Sequence, residues 1–201
     1  MSQDRKEATR GSTADAVMDE LRGLHAEIDS EAAALAALHG SRLQCKRGCH
    51  GCCVDDLTVS RVEAERIRRA HQDLLEGGEP HAAGGCAFLD EDGACRIYAE
   101  RPSVCRSQGL PLRFFFEDEA GEIEEGRDLC PLNEPGGPPV DQLAESDCWL
   151  IGPHEHRMGM LDVAFGEAQK PGGAEAEPLA PSADQADGDS ARVFLRSLFA
   201  R

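Results

Sequence analysis

The chain has 201 residues, 9 of them Cys, while aromatic residues make up only 4%. Large aromatic side chains dominate ordinary cores, so part of the cohesion is expected from another source. The formal net charge of −17 argues against a non-specific nucleic-acid binder, which needs a basic footprint, and against docking on anionic lipid.

No stretch approaches the roughly 18–20 apolar residues that cross a bilayer. Met1 to Ala14 is polar and charged and does not read as a secretory signal. The expected compartment is the cytoplasm, where thiols stay reduced. Clustered cysteines there read as metal ligands or reactive thiols. Their odd number points away from a full set of disulfides.

Residues 1–12 are expected to be disordered. From Val17 onward, Leu21, Leu24, Ile28, Leu35 and Leu38 recur at steps of three and four, with Glu31 interrupting the seam. This predicts one amphipathic helix over residues 13–39, ended by Gly40. So short a seam favours packing on its own domain over a coiled coil. Ser60 and Glu63 form a capping pair for a helix over 60–76, closed by Gly77 and Gly78. Its Arg61, Arg66, Arg68 and Arg69 read as a solvated face or as internal ion-pair partners.

Residues 86–98 predict a hairpin turning at Asp90–Gly93. Pro102 suits the first position of a short helix. A second hairpin is expected over 110–130, with Phe114, Phe115 and Phe116 on one strand and a turn near Gly121. A helix from Pro153 would use Met158, Leu161 and Phe165. His154 and His156 stand two apart, so they face apart on a helix, and they read as surface residues. Residues 166–190 are rich in Gly and Pro and predict a flexible linker. Residues 191–201 recover apolar character, as a short helix docking on the core or as a partner peptide. The fold class is therefore mainly α with short β-hairpins, a small α+β fold. Its irregular cysteine-rich core spans a single domain over residues 13–165.

The chemistry lies in the cysteines. Cys45, Cys49, Cys52 and Cys53 fall within nine residues, with Gly48 and Gly51 between them. Glycines let backbone wrap a metal closely. Lys46, Arg47 and His50 place positive charge in the same loop, which favours thiolate; His50 is also a candidate substitute ligand. Cys86 and Cys95 sit at opposite ends of the predicted hairpin, which would bring them together. Cys105 falls in the first turn of the predicted helix, where the dipole favours thiolate. Cys130 stands alone, and Cys148 beside Trp149 reads as an ordinary buried thiol. Cys49-x2-Cys52 alone is compatible with a zinc knuckle. Cys45, Cys49 and Cys52 also spell the C-x3-C-x2-C loop of radical S-adenosylmethionine enzymes, but nothing here alternates strand and helix over the length of their barrel.

The string C-x3-C-x2-C-C, followed by Cys86-x-Phe88-Leu89, Gly93-x-Cys95-x-Ile97-Tyr98 and Arg101-Pro102-x-x-Cys105-Arg106, resembles the YkgJ-type cysteine-cluster family, whose domain is described as zinc- or iron-chelating. The resemblance covers roughly residues 45–130. It implies a bacterial source and metal ligation by Cys45, Cys49, Cys52, Cys53, Cys86, Cys95 and Cys105, with Cys130 as an eighth. Eight thiolates suit two four-coordinate sites, or one site with spare thiols. Both zinc and iron–sulfur clusters take four Cys, and the tight first loop tilts the reading toward iron–sulfur.

No phosphate loop, nucleophile elbow or catalytic Ser–His pattern is present, so no catalytic residue is expected. The favoured reading is a metal-binding module without enzymatic activity, its partners a metal ion and an unidentified protein. The alternative is an iron–sulfur-dependent protein-modifying enzyme, resembling flagellin lysine N-methylase.

Overall fold

The three-and-four spacing of apolar residues from Val17 builds α1 (Ser2–His39) in a computed structural model, which describes residues 2–170 and 192–199. Residues 2–12, expected to be disordered, continue this helix. Val17, Met18, Leu21, Leu24, Ile28 and Ala32 are buried, whereas Leu38 is exposed. Burying each of the larger side chains contributes roughly 1.5–3 kcal/mol. α1 spends its seam on the domain itself. Its main partner is α5 (Pro153–Gln169), which buries Met158 and Phe165. Glu31, the interruption in the seam, accepts a hydrogen bond from His154 Nε2 at 2.9 Å. His154 is therefore no surface residue. It is buried and its ring stacks on Trp149, with centroids 5.0 Å apart.

Ser60 caps α2 (Arg61–Ala70), its Oγ accepting from the Glu63 N–H at 3.3 Å. The single helix expected over 60–76 is divided. His71 leaves helical geometry, with φ −130° and ψ 33°, and α3 (Gln72–Gly77) starts afresh. The break turns the His71 ring onto Glu100, at 2.9 Å. Most of the basic face of α2 is internal wiring: Arg61 pairs with Asp162 at 3.1 Å, Arg69 with Asp15 at 2.8 Å, and Arg66 meets His25 Nδ1 at 2.9 Å.

The predicted hairpin over 86–98 forms no strands. A single bridge joins Leu89 to Cys95. The Asp90 carboxylate accepts N–H groups of Asp92 and Ala94, and Gly93 takes the φ of 75° that the turn needs. The second hairpin is present: β2 (Leu112–Glu117) pairs antiparallel with β3 (Ile123–Asp128). Short β4 (Trp149–Leu150) adds to β2 in parallel. Elsewhere β1 (Thr58–Val59) pairs antiparallel with β5 (Val193–Phe194). The expected C-terminal helix is thus a strand followed by a 3-10 turn, Leu195–Phe199, docked on the core. Apart from 166–169, which end α5, and Lys170, the predicted linker lies outside the described residues.

Two apolar cores result. One lies between α1, α5, Trp149 and Leu110. The other gathers Phe88, Leu89 and Ile97 with Leu195, Leu198 and Phe199. α2 joins them, giving Val62 to the first and Ala64 and Ile67 to the second. The fold is a small, mainly helical α+β structure. No described helix is long and apolar enough to cross a membrane.

Candidate metal centre

The first cysteine run folds as two tight turns. The Cys49 N–H donates to Lys46 O at 2.9 Å, and the Cys53 N–H to His50 O at 2.9 Å. Gly48 takes φ 84° in the first turn, which a residue with a side chain resists. Cys86 joins this run through its backbone, its N–H donating to Cys53 O at 2.8 Å. The bridge at Leu89 returns the chain, so Cys95 rejoins Cys86. Cys105 rides on α4 (Ser103–Arg106), which Pro102 caps rather than opens, so the helix starts one residue later than expected.

Glu63 anchors that short helix. Its Oε1 accepts the Ser103 N–H at 2.7 Å and faces His25 Nε2 at 3.2 Å. Arg101 and Arg106 both grip Asp29 of α1, Arg101 at 2.9 Å. His25 Nδ1 faces Arg66 and Arg106, so the ring is neutral and carries its proton on Nε2. Burial and these arginines hold the His25 pKa below 6.5. Burial raises the Glu63 pKa, but bonds from His25 and Ser103 outweigh it and leave the carboxylate below its usual range.

Cys45, Cys49, Cys52, Cys53, Cys86, Cys95 and Cys105 line one cavity of about 520 Å³. Its other walls are apolar, including Phe88, Ile97 and Leu195, with Lys46, Arg47 and Arg101 as cations and no carboxylate or imidazole. His50 is not part of the lining; its Nδ1 is spent on Gly48 O at 2.8 Å. Cys130 is outside the lining too, yet near Cys45, whose thiol feels the charge of Cys49, Cys130 and Cys52.

All nine cysteines are free thiols, with Cys45 and Cys52 exposed and Cys86 and Cys148 buried. The expected lowering of thiol pKa is absent at Cys45 and Cys105. Burial, reinforced by neighbouring thiols, pushes Cys53 and Cys105 up to about 12. Burial also raises Cys45, Cys86 and Cys95. A four-residue helix has little dipole to set against desolvation. Cys148 is packed away from the cavity, beside Arg127.

Among the described residues, no three His, Cys, Asp or Glu side chains form a ready coordination group. The seven thiols border a shared space without converging on a point. The donor set fits a thiophilic metal all the same. Sulfur ligands without oxygen suit zinc, copper(I) or iron–sulfur clusters and exclude the hard cations that need carboxylates. The three cations offset the negative charge a tetrathiolate centre carries.

Sequence reasoning missed Asn133, which is fully buried and holds Cys45 and Cys130 together. Its Oδ1 accepts the Gln44 N–H at 2.8 Å, its Nδ2 donates to Gly109 O at 2.7 Å, and its own N–H donates to Cys130 O at 2.8 Å. The only available signal was its place three residues after Cys130.

Comparison with known families matches residues 44–131 to the CxxCxxCC model, described as a "putative zinc- or iron-chelating domain". No curated protein and no solved structure matches the chain. The matched segment contains all eight predicted ligands and ends just past Cys130. Residues 44–131 thus match the model of the same cysteine-cluster family that the sequence pattern resembles.

Proposed function

We propose that the chain works as a metal-chelating module without catalytic activity, in which Cys45, Cys49, Cys52, Cys53, Cys86, Cys95, Cys105 and Cys130 hold zinc or an iron–sulfur cluster. One observation carries this reading: seven free thiols line a single cavity whose other polar side chains are mainly cations. Structural thiols scattered through a core would not share one space. Reactive nucleophiles would be expected to show lowered thiol pKa values, whereas five of these thiols are raised. Bound metal supplies the missing stabilisation of the thiolate, and protons leave as it binds.

The test is metal analysis with absorption spectroscopy on anaerobically purified protein. A colourless protein with stoichiometric zinc identifies zinc. A brown protein absorbing at about 400 nm and bleached by dithionite identifies iron–sulfur. Protein free of both, and unable to take up either on reconstitution, refutes the reading. Calorimetric binding of S-adenosylmethionine would replace it with the protein-modifying enzyme.

A further inference from the structure

We propose that residues 192–199 act as a latch on the thiol cavity, with Arg196 as its positioning residue, so that docking of this segment and occupancy of the cavity by metal favour each other. The coupling to metal rests on the metal-chelating reading above. The control of access to the thiols does not.

The segment reaches the cavity from far away in sequence. Residues 171–191 precede it and carry one large apolar residue, Leu179, so the segment is held by its own contacts. Those contacts fall on the residues that flank three of the cysteines. After Cys53, β5 pairs with β1, and the Leu195 N–H donates to Leu57 O at 3.0 Å. Arg192 donates to the hydroxyl and carbonyl oxygens of Thr58 at 2.8 and 2.6 Å. Before Cys86, Arg196 donates to the carbonyls of His81, Ala82 and Gly85 at 2.7, 3.3 and 2.9 Å. Beside Cys95, the Arg96 guanidinium lies over the Phe199 ring, 5.4 Å from its centroid.

Arg196 spans two of these arms at once, because it also grips Asp55, two residues beyond Cys53. Only a guanidinium fork offers donors in enough directions for all four partners. The arms have ties of their own: the Cys86 N–H donates to Cys53 O at 2.8 Å and the Gly84 N–H to Asp55 at 3.0 Å. They therefore stay joined when the segment leaves, and what the segment adds is a wall. Leu195 lines the thiol cavity. Leu198 and Phe199 complete the apolar cluster on which Cys53, Cys86 and Cys95 pack, with Phe199 4.9 Å from Phe88. Undocking removes that wall and opens these three cysteines to solvent. The core between α1 and α5, which the segment does not join, stays intact.

A ladder of two residue pairs with an exposed arginine anchor belongs to the part of a structure that opens locally. Metal that binds the closed cavity in preference to the open one stabilises the docked segment, and docking tightens metal by the same factor.

The test uses the full chain. Metal-free wild type, Arg196→Ala and Arg196→Lys are pulsed with N-ethylmaleimide, and the labelled cysteines are located by peptide mass spectrometry. Losing charge-assisted hydrogen bonds shifts a local opening by about tenfold or more. R196A should therefore label Cys53, Cys86 and Cys95 about tenfold faster than wild type, and leave Cys148, which sits beside Arg127, unchanged. R196K keeps a charge facing Asp55 without the fork and should rescue only part of the effect. Should R196A fail to fold, Arg192→Ala, which loses only exposed bonds to Thr58, gives the same readout. Hydrogen exchange at residues 192–199 is then compared between metal-free wild type and wild type loaded with zinc or, for a brown protein, with its iron–sulfur cluster. Loading should slow exchange there. R196A that labels Cys148 faster by the same factor has lost stability throughout, and R196A that leaves the three cysteines unchanged has lost nothing that guards them; either result overturns the latch. A loaded chain whose segment exchanges as fast as in the metal-free chain overturns the coupling alone. A chain that takes up no metal overturns the metal reading and the coupling with it, while the labelling still decides the latch.

Discussion

Replacing Asn133 with Ala isolates the staple that brings Cys130 to Cys45. The side chain is fully buried. Removing it leaves the Gln44 N–H and the Gly109 carbonyl without the partners they have at 2.8 and 2.7 Å. A buried polar group left unpaired costs about 1–3 kcal/mol. Gln44 and Gly109 are only partly shielded, so water recovers some of that. The expected loss for the metal-free chain is therefore about 2–4 kcal/mol. In a chain of this size 1 kcal/mol moves the melting temperature by roughly 2–4 °C, which predicts a fall of about 4–16 °C.

The assay is urea unfolding of metal-free protein followed by circular dichroism. The midpoint should shift while the denaturant slope stays constant. Metal titration of the same variant should show weakened binding. Asn133→Asp is a sharper companion. It keeps an acceptor for Gln44 N–H, faces Gly109 O with an oxygen, and sets negative charge near Cys45. Metal binding should therefore weaken at least as much as in the Ala variant. An N133A chain within about 0.5 kcal/mol of wild type, with metal binding intact, would refute the staple.

Gly109→Ala adds a Cβ where φ is 90° and where Cys45 Sγ already stands; it should cost about 1–3 kcal/mol and displace the Cys45 thiol, lowering metal content, so an unchanged melt and unchanged metal content would count against it. The His25 and Glu63 pKa values are both below their ordinary 6.5 and 4.5, so the unfolded chain binds protons the folded chain refuses. Stability of metal-free protein is thus full above about pH 6.5 and declines as pH falls below it, first through His25 and then, below about 4.5, through Glu63. His25→Gln keeps a donor for Glu63 and should flatten urea midpoints between pH 7.5 and 5.5; an unaltered pH slope would refute the assignment. Arg196 binds Asp55 and the carbonyls of His81 and Gly85, the last two at 2.7 and 2.9 Å. Arg196→Ala should release the segment carrying Leu195 and speed metal loss to chelator, measurable by stopped-flow. Cys45 and Cys52 are exposed while Cys86 is buried, so a thiol reagent should modify the metal-free protein in a fast and a slow phase; a single phase would argue against thiols of unequal access.

What the sequence made legible follows from local signals. The seam from Val17 to Ile28, the Ser60 cap, the hairpin around Gly121 and the helix from Pro153 are written in periodicity and turn chemistry, and they are present. The apolar wall of the cavity was half legible, because Phe88, Leu89 and Ile97 lie inside the cysteine pattern. Its closure by Leu195 was not, because pairing of β1 with β5 is long-range and two residues long. The failed hairpin at 86–98 has the correct turn but no strands. Thiol chemistry was misread for the same reason: a cation nearby in sequence suggests thiolate, whereas burial, a property of the whole fold, pushes Cys53 up to about 12. Asn133 was invisible because nothing in its neighbourhood announces that it will bridge residues 44 and 109.

The arginines of the cysteine pattern show how the segment depends on the rest of the chain. Arg101 and Arg106 lie within residues 44–131, yet both are held by Asp29, which precedes the matched segment. Ser103, which opens α4, is held by Glu63, and Glu63 is held by His25 of α1. The position of Cys105 therefore rests on α1 as much as on its own neighbours. The dependence runs both ways. Metal that binds the folded chain and not the unfolded one stabilises everything coupled to it by RT ln(1 + [M]/Kd), about 2.7 kcal/mol at one hundred times Kd. Asp29→Ala leaves two arginines, Arg106 buried among them, without their carboxylate. Asp29 is itself partly exposed, so the change should cost about 1–3 kcal/mol in metal-free protein, less than breaking a fully buried pair, and weaken metal binding. Saturating zinc should recover part of the loss in a concentration-dependent melt. If D29A lowered stability equally with and without zinc and left metal affinity unchanged, α1 would be a packing partner only, and the cysteine segment would stand on its own.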